Sequence, residues 1–496
     1  MDLINGIINL FSIGNLFACF AGCALGTLVG VLPGLGPAAT LSLLLPLSLK
    51  MEVTQSIIML AGIFYGAQYG GSTTSILVNI PGEVSSVVTC FDGFAMTKQG
   101  RAGQALWMAA VSSFIAWTIG VIALCFIGPE IAIHALKFGP PEYFGLIFLS
   151  LTLIVSLSGK SIIKGLGAGL VGMVLATVGL DPLSVMPRLN FGTVMLMRGF
   201  EIVPVVIGLF GIGEILAGAD AGIVKIYEGA LGKMMPRGKE LKKGLLASLR
   251  GTALGFAAGL LPGLSPSIVT FFSYDLEKRV SKYPEKFGTG VIEGVAAPEA
   301  CNNATAQGNF VPLFTLGIPS TPGLAILMAA LVLHGLQPGP MLFHTDKQFI
   351  WTVIGSMYLG NIMLLIFNLP LVGVWARISL IPYKYLAPII TGVCVVGAYS
   401  ARNSMFDVWV AFGFGILGLI MRKTDWPLTP LVLGFLLGDK FEYSFRNSLS
   451  MGGGPLILFT RPIPVAFILS AIIIVGLTLR YLKRVPKDAI PDDSDI

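Results

Sequence analysis

Charge is scarce in this chain. Asp, Glu, Lys and Arg together make up 12% of its 496 residues, against roughly 25% in a soluble domain. A surface so poor in charge cannot keep a protein dispersed in water. With 54% hydrophobic residues, the class that fits is a polytopic membrane protein. Long polar stretches are also missing, which leaves no room for a soluble catalytic domain. No Lys or Arg precedes Lys50, so the basic start of a cleavable signal is absent. Histidine is rare, and none of Cys19, Cys23, Cys90, Cys125, Cys301 and Cys394 forms C-x-x-C. A metal site lacks its ligand spacing, and the cysteines read as apolar residues. Gly159-Lys160-Ser161 lacks the upstream glycine of a phosphate-binding loop. Gly208, Gly211 and Gly213 do not form a dinucleotide fingerprint. An intramembrane aspartyl protease needs Tyr-Asp and Gly-x-Gly-Asp. Tyr274-Asp275 opens a charged run, and Gly438-Asp439 lacks the leading glycine of its motif. The expectation is a non-enzyme with no cofactor.

What is present is apolar sequence long enough to span, near 105–127, 142–157, 163–180, 201–218, 349–375, 386–399, 404–421 and 462–482. Seven basic residues lie between Lys225 and Arg250, against Glu228 and Glu240. Further basic clusters are Lys278, Arg279, Lys282 and Lys286, then Arg480, Lys483, Arg484 and Lys487. The positive-inside bias puts all three in the cytoplasm as topology anchors, and beside this many spans they are no nucleic-acid surface.

The pattern G-x3-G-x-L-P-G-L-x-P occurs twice. Its copies are Gly26, Gly30, Leu32, Pro33, Gly34, Leu35, Pro37 and Gly255, Gly259, Leu261, Pro262, Gly263, Leu264, Pro266. Each breaks an apolar segment. The order of features continues: Gly70 to Thr74, Ile80-Pro81-Gly82 and Asp92-Gly93 in one half; Asn302-Asn303, Ile318-Pro319-Ser320 and His334-Gly335 in the other. Basic loops fall on opposite sides of the two halves, as inverted-topology repeats require. Only about 25 apolar residues separate the cytoplasmic flanks of the second motif, too few for two full crossings. This predicts a re-entrant hairpin tipped by Leu261–Pro266 and, by the repeat, another tipped by Leu32–Pro37. The alternative is that Pro-Gly merely kinks spanning helices, with Gly26/Gly30 and Gly255/Gly259 serving close packing.

The expected fold is therefore all-α and polytopic. It comprises two inverted-topology repeats with broken helices and re-entrant hairpins, in about 10–12 membrane segments. The expected boundaries are 1–224 for the first repeat, 225–244 for a basic cytoplasmic linker, 245–482 for the second repeat and 483–496 for a cytoplasmic tail. A basic C-terminus needs one more crossing than the first half has, placed through 427–438.

Matching helix breaks in two halves point to a transporter's substrate site. The groups around them are mostly neutral: Tyr65 and Gln68, then Pro33, Gly34, Gly36, Thr40, Ser72, Thr73, Thr74 and Ser75 from the first half. The second half gives Gly263, Ser265, Ser267, Asn302, Asn303, Thr305, Gln307, Ser320 and Thr321. Hydroxyls, amides and freed backbone N–H groups suit a carboxylate ligand. The bland alternative is that they satisfy broken backbone. Glu299 lies in an apolar stretch, and an intramembrane acid is a functional candidate by default. Glu299, Asn79 and Asn309 are the candidates for ion coupling. Glu83, Asp181, Glu201 and Glu214 are weaker, Asp181 reading as a cap or turn before Pro182.

These strings resemble the large membrane subunit of the tripartite tricarboxylate transporter family. The carriers are Gly30 to Pro37, Tyr65 to Thr74, Asn79 to Glu83, Asp92 to Gly103, Leu261 to Pro266, Gly294 to Asn303 and His334 to Pro340. Gly208 to Gly211 and Arg461-Pro462 add to them. The resemblance covers nearly the whole chain. It implies a multi-pass protein of the bacterial inner membrane, a small membrane partner subunit and a soluble periplasmic substrate-binding protein. It implies import of citrate-like tri- or dicarboxylates, driven by Na⁺ or H⁺. Cys301 and Thr305 depart from the small residues expected there. A passive anion channel and, less well, an intramembrane enzyme are the alternatives.

Overall fold

The computed structural model describes residues 2–32, 36–48, 50–157, 161–218, 231–371, 373–375, 383–451 and 454–482. The first half runs α1 (Asp2–Leu10), α2 (Ile13–Gly30), α3 (Pro37–Ser48), α4 (Val53–Val78), α5 (Val87–Lys98), α6 (Ala102–Ala135), α7 (Pro140–Leu157) and α8 (Ile162–Ala176). A small hairpin follows, β1 (Gly179–Leu180) antiparallel to β2 (Pro187–Arg188). Then α9 (Ile202–Val206) and α10 (Gly213–Gly218) are joined by a π-helical stretch, Ile207–Ile212.

The second half runs α11 (Lys239–Gly259), α12 (Pro266–Val280), α13 (Glu293–Gly308), α14 (Phe310–Leu316), α15 (Pro322–Leu333) and α16 (Lys347–Asn368). It closes with α17 (Tyr383–Arg402), α18 (Met405–Lys423), α19 (Leu428–Ser450), α20 (Ile457–Thr460) and α21 (Pro462–Leu482).

Among the described residues, four helices are long and apolar enough to cross a bilayer: α2, α6, α16 and α18. A pair bent by 83° at Arg461, Gly454–Thr460 with Pro462–Gly476, brings the number to five. Pro37–Ser48, Ile162–Ala176, Ile202–Ala217, Pro322–Leu333 and Ala387–Arg402 are apolar but shorter. The protein is a helical, multi-pass membrane protein.

Both proline–glycine motifs fall at helix breaks. α2 ends at Gly30, and α3 begins with Pro37. α11 ends at Gly259, Gly263 takes φ +94°, and Pro266 sits in the first turn of α12, where its missing N–H costs no bond. Arg250, well before the second break, grips Glu277 well after it through two bonds of 2.5 and 2.7 Å. α11 and α12 therefore double back beside one another.

The glycines before each break form a stripe along their helix. An added Cβ on Gly22, Gly26 or Gly30 would meet the carbonyl oxygen of Met59, Ile63 or Ala67 at 2.4–2.5 Å. On Gly251, Gly255 or Gly259 it would meet that of Ala297, Cys301 or Thr305 at 2.3–2.5 Å. The α2–α4 and α11–α13 crossings thus repeat one backbone-on-backbone contact, which only small residues permit. The repeat reaches the ends of the second helices. α4 stops at Asn79 and α14 at Gly317, both left-handed, with φ 60° and 68°.

The halves also exchange partners. α3 lies on α15, while α12 lies on α5 and the turn Val84–Ser86. α6 packs on α11 and α13, while α16 packs on α2 and α4. α8 packs on α19, and α18 packs on α9, α10 and the π-stretch between them.

One further tie fixes the loop after α12. Asp92 on α5 accepts from the backbone N–H groups of Gly288 (3.0 Å), Gly290 (2.8 Å) and Val291 (2.8 Å). It also accepts from the Tyr274 hydroxyl at 2.8 Å. Lys278 to Lys286, a basic cluster of the sequence, leads into this clamped loop.

Candidate functional site

α4 and α13 carry small and polar residues where a lipid-facing helix would carry leucine. From Thr54 to Leu77 almost every α4 side chain is buried, and so is α13 from Gly294 onward. Their polar groups must therefore pair with one another. Glu299 on α13 is fully buried. Its Oε2 accepts from Ser72 Oγ on α4 at 2.5 Å, and its Oε1 accepts from Thr89 Oγ1 on α5. Glu83, just past the Pro81-Gly82 turn, is buried too. Its Oε1 accepts from Asn302 Nδ2 at 2.8 Å. The surrounding network orients the Gln68 amide so that its nitrogen donates to Glu83 Oε2 (2.6 Å) and Asn302 Oδ1 (3.1 Å). Asn303 Nδ2 donates to Ser113 Oγ on α6 at 2.8 Å and to the Glu299 carbonyl at 3.0 Å.

Two carboxylates from opposite halves thus share one buried polar unit. Among the described residues no Lys, Arg or His pairs with either; every ion pair with a buried acid lies elsewhere, as at Arg402–Asp407 and Arg461–Glu142. A buried carboxylate without a cation is costly. Beside the unit a narrow cleft, no wider than a water molecule, is lined by Tyr69, Ser72 and Thr73 of α4, Ser113 and its apolar neighbours of α6, and Asn368 of α16. Its polar lining is neutral. No cluster of three or more His, Cys, Asp or Glu able to hold a metal occurs among the described residues.

Other sequence candidates lie apart from this unit. Ser75 bonds to Ser86 Oγ (2.8 Å) and Gly71 O (3.0 Å), and Thr74 bonds to Gly71 O (3.1 Å). Gly263 N donates to Ser320 Oγ at 3.2 Å, which ties the second break to the turn before α15. Thr321 caps α15 by accepting from Leu324 N, and Thr40 bonds back to Gly36 O at 3.1 Å. Ser265 and Ser267 bond to each other at 3.2 Å. Asn79 is an exposed helix cap. Gln307 donates to Met357 Sδ at 3.6 Å, and its Oε1 has no partner. Asn309 is fully buried, with neither amide atom bonded. Pro33 and Gly34 lie outside the described residues. Cys301 donates to Val269 O at 3.4 Å and so faces α12, while Thr305 bonds back within α13 to Cys301 O at 2.7 Å.

The sequence reading ranked Glu83 low and omitted Thr89, Ser113 and Asn368. Ser113 sits in a span that reads as ordinary apolar sequence and Thr89 in a stretch assigned no element, and only tertiary packing turns them toward Glu299. Of the weaker acids, Asp181 accepts from Leu183 N (2.7 Å) and Ser184 N (2.9 Å), closing the β1–β2 turn. Glu214 pairs with Arg422 at 2.5 Å.

No solved structure matches the chain. An uncharacterized 52.8 kDa protein in the TAR-I ttuC' 3'region of Agrobacterium vitis is 41% identical over 447 residues, 89% of this chain and 88% of that protein. An uncharacterized protein in the TAR-II ttuC' 3'region of the same organism is 39% identical over 242 residues, 49% of this chain and all of that protein. Residues 16–433 match the tripartite tricarboxylate transporter TctA family. That span takes in both glycine stripes, both breaks and both buried carboxylates, and the chain belongs to this transporter family, whose systems comprise three parts.

Proposed function

We propose that this chain is the permease of a binding-protein-dependent secondary transporter in the bacterial inner membrane. It imports citrate-like tri- or dicarboxylates on a Na⁺ or H⁺ gradient. A soluble periplasmic protein delivers the substrate, and a small membrane subunit completes the complex. The observation that carries the reading is the neutral, hydroxyl-lined cleft next to two carboxylates without a basic partner, where helices of both halves cross. Neutral donors suit an anionic substrate, and the acids suit the driving cation.

The cleft is too narrow for citrate, so loading requires α4 and α6 to part. The doubled-back α11 and α12, flanked by basic residues on both sides, support a re-entrant hairpin entered from the cytoplasm. The exchanged packing of the halves supports an inverted repeat of about 10–12 segments.

The test is uptake of radiolabelled citrate and smaller dicarboxylates into proteoliposomes holding the chain and its small partner, with and without the soluble protein, under imposed Na⁺ or H⁺ gradients. Saturable, gradient-driven uptake that needs the soluble protein is expected. Unsaturable flux indifferent to both would refute it in favour of a channel.

A further inference from the structure

We propose that Glu83 and Glu299, linked through Asn302 on the helix that carries Glu299, form one site for a single monovalent cation, reached from the cleft through Ser72 and Ser113. This rests on the transport reading above and names the place where the driving ion binds. The bridge is short. Asn302 stands one helical turn after Glu299 and donates to Glu83, while Glu83 Cγ lies against Gly71, next to the Ser72 that donates to Glu299. The stem of Glu83 and the carboxylate of Glu299 thus meet consecutive positions of α4.

Glu83 and Glu299 repel one another, and like charges that interact in a dry interior do not both stay ionised without a cation. The other titratable groups facing Glu299 are Tyr69 and Cys90, both neutral, and no basic side chain among the described residues takes that role. Four donors already serve the carboxylates: Ser72 and Thr89 on Glu299, Asn302 and Gln68 on Glu83. That donor set stabilises one residual negative charge, so one cation is enough to complete the site.

A second observation points to a missing ligand. Asn303 is fully buried, and its amide nitrogen is held by Ser113 and the Glu299 carbonyl, yet its Oδ1 has no partner. A buried amide oxygen left bare, on a side chain already bonded to the Glu299 backbone and to Ser113 of the cleft wall, is what a cation takes up. Ser72 and Ser113 both line the cleft and both bond into the unit, so the cation's path and the substrate's cleft share a wall. A filled site would remove the repulsion that the pair otherwise exerts on a carboxylate in the cleft. By linkage, substrate and cation then tighten each other's binding by the same factor.

The test uses the purified full-length chain in detergent, without substrate or partners. Binding of radioactive sodium is measured, and in parallel proton uptake is followed with a pH-indicator dye and the infrared band of protonated carboxyl groups. One sodium bound per chain identifies Na⁺; no sodium but one proton per chain identifies H⁺. Glu83→Gln and Glu299→Gln should each abolish the whole of it, and Ser72→Ala should weaken it roughly tenfold. Glu83→Asp and Glu299→Asp keep the charge and should retain one cation at lower affinity, so the test survives a Gln variant that fails to fold. The proposal is overturned if either Gln variant keeps full binding, if each removes only half, or if the wild-type chain binds neither ion. Cation binding that persists when carboxylate uptake fails would remove the transport reading alone.

Discussion

Replacing Gly255 with alanine puts a Cβ 2.4 Å from the Cys301 carbonyl oxygen and 2.9 Å from Cys301 Cα. Both are backbone atoms of α13, so no side chain can swing away. An ordinary C···O contact is about 3.4 Å, and the two helices must separate by about 1 Å to restore it. Overpacking of this kind costs about 1–3 kcal/mol. Alanine is also the better helix former, by about 1 kcal/mol, and that gain would mask part of the strain. Gly413 in α18 supplies the control, since a Cβ there meets nothing within 4 Å. The difference between Gly255→Ala and Gly413→Ala isolates the crossing and should be about 1–3 kcal/mol. Unfolding of the detergent-purified chain, followed by tryptophan fluorescence, measures it. The same 1 Å shift moves Glu299, so the Ser72–Glu299 bond should weaken in step. Equal stability of the two variants would refute the backbone contact and the stripe built on it.

Glu299→Gln should leave substrate delivery intact but remove the gradient dependence of uptake in proteoliposomes; uptake still driven by the gradient would exclude Glu299 from coupling. Cysteines at the exposed Lys50 and Lys282 should react with an impermeant maleimide from opposite faces of the membrane, and labelling of both from the cytoplasm would end the inverted-repeat reading. The Asp181 carboxylate is held well below the usual carboxylate range, first by the Ser184 N–H, then by the Arg446 guanidinium and the Leu183 N–H. Its contribution to the β1–β2 loop is complete above the unfolded value near ~3.9 and is lost as pH falls toward the folded one. Protection of the Leu183 and Ser184 amides, relative to their intrinsic exchange at the same pH, should therefore fall on acidification below about pH 4, and Asp181→Asn should lack that protection throughout.

Hydropathy located α7, α8, α17, α18 and α21 to within a few residues, but stopped well short of the end of α6 and ran past the end of α16. It under-read α19, which runs on to Ser450 where only 427–438 was expected. Asp439, Lys440, Glu442 and Arg446 break the apolar pattern there, and Lys440 reaches Gly317 O while Arg446 reaches Asp181. It drew no span over α2, which is long and apolar enough to cross, nor any over α4 and α13, whose serines, threonines and asparagines face protein. Pro-Gly disclosed both breaks, because glycine and proline impose their constraint locally. The pairing of Glu83 with Asn302 was illegible for the opposite reason: 219 residues separate them, and no local preference encodes it.

The exchange of partners between halves bears on how the chain comes to exist at all. Residues 1–224 and 245–482 look like two domains in the sequence, yet each leaves α6, α8 or α16 without its natural bed until the other arrives. Neither is a cooperative unit that can be translated, inserted and finished alone. The first-synthesised helices must wait in the bilayer, loosely associated, for segments made hundreds of residues later. Once the two have interlocked, they unfold as one.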